Sequence, residues 1–93
     1  MNARMQTRNI VIAKRRTTVR LEEAVWDALD EICLKEEISR HDLCTKIDQQ
    51  RGRANRAQAV RSTVINYFRL LAGSGKTANL IPQALQGISK QTF

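Results

Sequence analysis

The chain has 93 residues and a mass of 10.6 kDa, room for one small domain and no large enzyme core. Its 42% hydrophobic and 27% charged residues are the balance of a soluble chain, and no apolar run approaches the roughly 20 residues that cross a bilayer. Sixteen Lys and Arg against nine Asp and Glu leave a formal charge of +7, which points to a polyanionic partner. The N-terminal sequence lacks the apolar stretch of a signal peptide, so a cytoplasmic location is expected.

The charges are segregated. Residues 1–20 hold six bases (Arg4, Arg8, Lys14, Arg15, Arg16, Arg20) and no acid, residues 21–50 hold all nine acids, and residues 51–93 hold seven bases and again no acid. Two basic segments that bracket an acidic one are expected to meet on one anion in the folded state. By this pattern residues 1–9 read as a flexible basic arm, 10–72 as the folded domain, and 73–93 as a tail that is flexible or holds one short helical turn.

In chain order, the first apolar run is Ile10 to Ala13, which extends the following strand or forms a second one. The Lys14-Arg15 junction is poor tight-turn chemistry, because neither residue favours positive φ, and this favours extension or an irregular arm over a hairpin. From Arg16 to Leu21 the sequence alternates, with Thr17, Val19 and Leu21 on one face and Arg16, Thr18 and Arg20 on the other, the period of a half-buried strand. After Leu21 the period becomes helical through Val25, Leu29, Ile32 and Cys33, predicting a helix over about 22–36 with Trp26 at the edge of its apolar stripe. Ser39 followed by Asp42 predicts a short second helix that contains Leu43 and Ile47 and ends near Gln50. Past the basic loop Arg51-Gly52-Arg53-Ala54, Asn55 is a good N-cap for a third helix with Val60, Val64, Phe68 and Leu71 at core spacing, stopped by Gly73 to Gly75. One further turn is expected after Asn79, with Pro82 near its start.

Other chemistries find little support. Gly73-Ser74-Gly75-Lys76-Thr77 looks like the end of a phosphate-binding loop, but Leu70 stands where that motif needs its first glycine, and a helix precedes it where a strand is required. His41, Cys44 and Cys33 lack paired metal-ligand spacing, so no metal or other cofactor is expected and both thiols read as reduced. One histidine and no nucleophile elbow argue against an enzyme.

A lone strand leaves its backbone N–H and C=O groups without partners, and a second copy of the chain would supply them. The expected fold is therefore mainly α with one β-strand per chain: an intertwined homodimer built on an intermolecular antiparallel ribbon, with an additional helix. Its dimer core would hold Val19, Leu21, Val25, Trp26, Leu29, Val60 and Val64. Such a ribbon is narrow enough for the major groove of double-stranded DNA, with Arg16, Thr18 and Arg20 toward the bases.

Thr17-Thr18-Val19-Arg20-Leu21-Glu22, then Val25-Trp26-Asp27-Ala28-Leu29, and later Gly52 with Asn55-Arg56-Ala57-Gln58-Ala59-Val60-Arg61, resemble the ribbon-helix-helix family of bacterial DNA-binding proteins, in particular a short alphaproteobacterial branch. The resemblance covers roughly residues 10–71 and makes 10–72 the DNA-binding domain. It implies an obligate dimer, a ribbon in the major groove and a helix N-terminus on a flanking phosphate, hence a nucleoid-associated, sequence-specific transcriptional regulator acting as a repressor. Two helix starts compete for the phosphate. Ser39-Arg40 stands beside Glu36, Glu37 and Asp42, whereas Asn55-Arg56 stands among Arg51, Arg53 and Arg61 with no acid near in sequence, which favours Asn55. Lys14, Arg15, Arg53, Asn55 and Arg56 are the expected phosphate contacts. An antitoxin whose tail from Leu80 to Ile88 wraps a toxin, a nucleoid-associated protein with little sequence preference, and an adaptor whose acidic helices dock a basic protein without DNA remain as alternatives.

Overall fold

The computed structural model describes residues 4–75 and 79–89. Two strands, β1 (Met5–Ile12) and β2 (Arg15–Glu22), are followed by four helices, α1 (Glu23–Glu36), α2 (Arg40–Gln50), α3 (Arg56–Ser74) and α4 (Ile81–Ser89).

The strands pair antiparallel within the chain, in a register that sets Ile12 opposite Arg15, Asn9 opposite Thr18 and Met5 opposite Glu22. This corrects the expectation of one strand per chain. β2 finds its sister in β1, and Met5 to Asn9, expected to belong to a flexible basic arm, are strand. The turn is Ala13-Lys14, one residue upstream of the Lys14-Arg15 junction, and both residues are left-handed at φ 51° and 67°. Two successive positive φ values give the turn whose twist matches the flanking strands. Neither side chain favours that region, and the conformation is held by eight residues of pairing on either side. The outer edge of β1 is closed by α2: the Val11 N–H donates to His41 Nδ1 at 3.0 Å and the Ala13 N–H to Thr45 Oγ1 at 3.5 Å.

One core lies under the inward face of the hairpin. Ile10, Ile12, Val19 and Leu21 from the strands meet Trp26, Leu29 and Ile32 of α1, Leu43, Cys44 and Ile47 of α2, and Ala59, Val60, Val64 and Tyr67 of α3. Val19, Leu21, Trp26, Leu29, Val60 and Val64 are thus buried by a single chain, with Val25 partly buried beside them, so burying them needs no second copy. Trp26 is fully buried, beneath two arginines of the inward face and of α2. Its Nε1–H donates to the Gln6 carbonyl at 2.9 Å, and the guanidinium carbons of Arg8 and Arg40 lie 5.0 and 5.7 Å from its ring centre.

The helix starts follow their caps. Ser39 Oγ accepts from the Asp42 N–H at 3.0 Å and Asn55 Oδ1 from the Gln58 N–H at 2.8 Å. Helix α3 ends on Gly75 at φ 73°, a left-handed stop that glycine adopts without strain. Lys76 and Thr77 of the glycine-rich string lie outside the described residues. Beyond them the chain forms a helix of nine residues rather than one turn, and Leu80, Ile81, Ala84 and Leu85 are buried in the core. The stretch that would serve an antitoxin as its toxin-binding tail is therefore, from Leu80 to Leu85, packed on its own domain.

Candidate nucleic-acid interface

The alternation of β2 divides its side chains. Val19 and Leu21 are 5% and 1% exposed on the inward face, whereas Arg16, Thr18 and Arg20 are exposed on the outward one. On β1 the inward row is Gln6, Arg8, Ile10 and Ile12, and the outward row Thr7, Asn9 and Val11. Register brings the two outward rows together as Arg20 with Thr7, Thr18 with Asn9, and Arg16 with Val11. Six side chains therefore project from a two-stranded ribbon made by one chain. Thr18 Oγ1 donates to Asn9 Oδ1 at 2.9 Å across the middle pair.

Thr7, Asn9 and Val11 are absent from the sequence-derived candidates because Gln6 and Arg8 mask the period of β1. Both polar residues point inward with partners waiting. Arg8 donates to Gln6 Oε1 at 2.9 Å and faces Asp30 at 3.7 Å, and Gln6 Nε2 reaches Glu23 at 3.5 Å. Once those two are counted as inward, the alternation from Gln6 to Ile12 is as regular as that of β2.

Charge compensation sets the outward face and tip of the hairpin apart from the arginines packed against the helices. Arg40 donates twice to Asp30 Oδ1, at 3.0 and 2.7 Å. Arg51 and Arg56 both bring Nε to 2.7 Å from Asp48 Oδ1, and Arg61 Nε donates to Glu22 Oε1 at 2.8 Å. The bond from Arg61 is the main reason the Glu22 carboxyl is held below its ordinary range. Among the described residues, Lys14, Arg15, Arg16 and Arg20 have no such carboxylate. Among the described residues, the other unpaired bases, Arg4, Lys35, Lys46, Arg53 and Arg69, are dispersed over the residue just ahead of β1, three helices and the loop before α3.

Asn55-Arg56 has no acid among its sequence neighbours, but the fold supplies acids from elsewhere. Asp48 and Glu22 neutralise Arg51, Arg56 and Arg61 in part, and Arg56 lines a crevice with Ile12 and Val19, under the buried face of the hairpin. The start of α2 sits instead at the edge of β1, through His41. The expected contacts thus fall into two groups: Lys14, Arg15, Arg16, Thr18 and Arg20 share the hairpin, while Arg53, Asn55 and Arg56 lie at the α2–α3 junction.

A β-ribbon carrying exposed arginines, backed by a helical layer, has the form of a groove-reading DNA-binding domain. A family model described as a ribbon-helix-helix domain matches residues 5–68, and the chain belongs to that family of DNA-binding regulators. The chain is similar in structure to an uncharacterized protein from Bordetella pertussis Tohama I, with a TM-score of 0.67 and 25% identity over 87% of this chain and 74% of that one. No curated protein matches the sequence. Among the described residues no helix is long and apolar enough to cross a membrane, and no three His, Cys, Asp or Glu converge on a point that would hold a metal.

Proposed function

We propose that the protein is a sequence-specific DNA-binding transcriptional regulator that acts as a homodimer in the nucleoid and represses by occupying its site. The observation that carries this reading is the uncompensated outward face of the hairpin: Arg16 and Arg20 flank Thr18 on one row, and Lys14 and Arg15 stand at the tip. Arginine is suited to guanine edges and threonine to several bases or the thymine methyl, while the tip cations suit phosphates. The dimer rests on β2. In a two-residue hairpin Ile12 and Arg15 close the ladder, so the N–H and C=O groups of Arg16, Thr18 and Arg20 point away from β1, and a second β2 across a two-fold axis would satisfy them. Binding to a promoter fragment from the protein's own locus and to random duplex, measured over a salt series, tests the reading. Preference for the fragment at matched salt supports it, and equal affinity for both makes the protein a nucleoid packaging factor instead.

A further inference from the structure

Resting on the two-fold pairing and DNA binding just proposed, we infer that Asn9 clamps the DNA backbone at the rim of the major groove, a phosphodiester oxygen being its ligand and Thr18 the residue that positions it. Pairing through β2 gives the strand order β1-β2-β2′-β1′. Strands in a sheet lie about 4.8 Å apart, so each β1 runs about 7 Å from the two-fold axis. The major groove is about 12 Å wide, which places its walls about 6 Å from the same axis. The β2 rows fit within the groove and the β1 rows meet its walls, which are phosphate.

Asn9 is built for that position. It is exposed on the outward face and stands directly opposite Thr18. The Thr18 hydroxyl donates to its Oδ1 at 2.9 Å, which fixes the carboxamide and leaves the Nδ2 hydrogens without an acceptor among the described residues. Two free donors on a fixed amide are complementary to phosphate oxygens. The same hydrogen bond commits the hydroxyl proton of Thr18 to Asn9, and leaves its methyl group and its acceptor lone pairs for the bases.

The test is a binding titration of the full-length Asn9→Ala protein against the promoter fragment and random duplex over a salt series, with wild type and Arg20→Ala alongside and folding checked by circular dichroism. Asn9→Ala is expected to weaken both duplexes alike, by about tenfold, with the slope of log K against log salt unchanged because a neutral amide releases no counterion. Thr18→Val is expected to cause a smaller loss that disappears in the Asn9→Ala background, a non-additivity that loss of general sheet structure would not produce. A fall in the ratio of specific to random affinity in Asn9→Ala would overturn the clamp in favour of base reading, and unchanged affinity would overturn it outright. Failure of the underlying DNA-binding reading shows separately, as absence of binding by the wild type.

Discussion

The carboxylate of Glu36, in the last turn of α1, accepts a hydrogen bond from the Tyr67 hydroxyl at 2.8 Å, and its two oxygens also take the N–H groups of Asn79 and Leu80 at 3.0 and 3.3 Å. One side chain thus joins α1, α3 and the start of α4, and serves the N–H groups at the entry to α4 where no local cap does. Tyr67→Phe keeps the ring in the core and removes one hydrogen bond to a charge, a loss of about 1.5–3 kcal/mol. For a domain of this size the melting temperature is expected to fall by roughly 6–24 °C, measured by circular dichroism.

Alkaline pH tests the same junction. Burial, and then the hydrogen bond to Glu36, raise the Tyr67 phenol above its ordinary value of 10.0. The folded state holds this proton more tightly than the unfolded chain, so the contribution is complete below pH 10 and is lost as pH rises toward the folded value. Stability measured by urea titration is expected to fall above that pH in the wild type and to fall less steeply in Tyr67→Phe. Equal slopes in the two proteins would contradict the assignment.

Cys44 offers a probe of core opening. Its thiol is pushed up to about 12, first by burial and then by the neighbouring Cys33, so at about pH 8 almost no thiolate exists in the folded protein. In a Cys33→Ser background, alkylation of Cys44 by iodoacetamide at that pH is expected to be slow and to accelerate with sub-denaturing urea. Rapid labelling in native buffer would show that the α1–α2 contact opens more readily than this packing implies.

Much of this arrangement was legible in the sequence where a single period or cap decides the structure. Thr17-Thr18-Val19-Arg20-Leu21 displays the strand by alternation, and Ser39 and Asn55 start their helices as their side chains predict. What stayed hidden was non-local. Gln6 and Arg8 read as arm residues until Trp26, Glu23 and Asp30 are known to receive them. The Ala13-Lys14 turn lacks turn-forming residues because strand pairing and the packing of Ile10 and Ile12 impose it. The neutralisation of Arg56 by Asp48 and of Arg61 by Glu22 joins residues that charge counting by segment had placed in separate blocks.

The imposed turn makes a stabilising substitution predictable. Ala13 and Lys14 both sit at positive φ, where Asn and Gly are the residues preferred for a two-residue hairpin. Replacing them together, Ala13→Asn with Lys14→Gly, relieves left-handed strain of about 1–2 kcal/mol per residue, offset in part by the greater freedom of glycine in the unfolded chain. A net gain of about 1 kcal/mol, or roughly 4–8 °C in melting temperature, is expected. A decrease would mean that β1 does not fold back on β2 through this turn in solution.

Assembly and folding are expected to be separable in this protein, which changes what a dimer experiment should look for. An intertwined ribbon with one strand per chain would unfold on dissociation, because Val19 and Leu21 would lose their partners. Here both are covered by the helices of their own chain, and β2 already has β1 beside it. Dilution through the dissociation range is therefore expected to release folded monomers, with helical ellipticity unchanged while the sedimentation coefficient falls. Thr18→Pro sharpens the test. The Thr18 N–H points away from β1, so proline there removes no bond of the intrachain ladder, a place where edge strands tolerate it, yet it deletes a donor from the proposed β2–β2′ pairing. The variant should melt cooperatively as a monomer and bind DNA more weakly than wild type. A Thr18→Pro protein that still sediments as a dimer would move the two-fold contact away from β2, and a wild-type chain whose ellipticity collapses on dilution would restore the intertwined form.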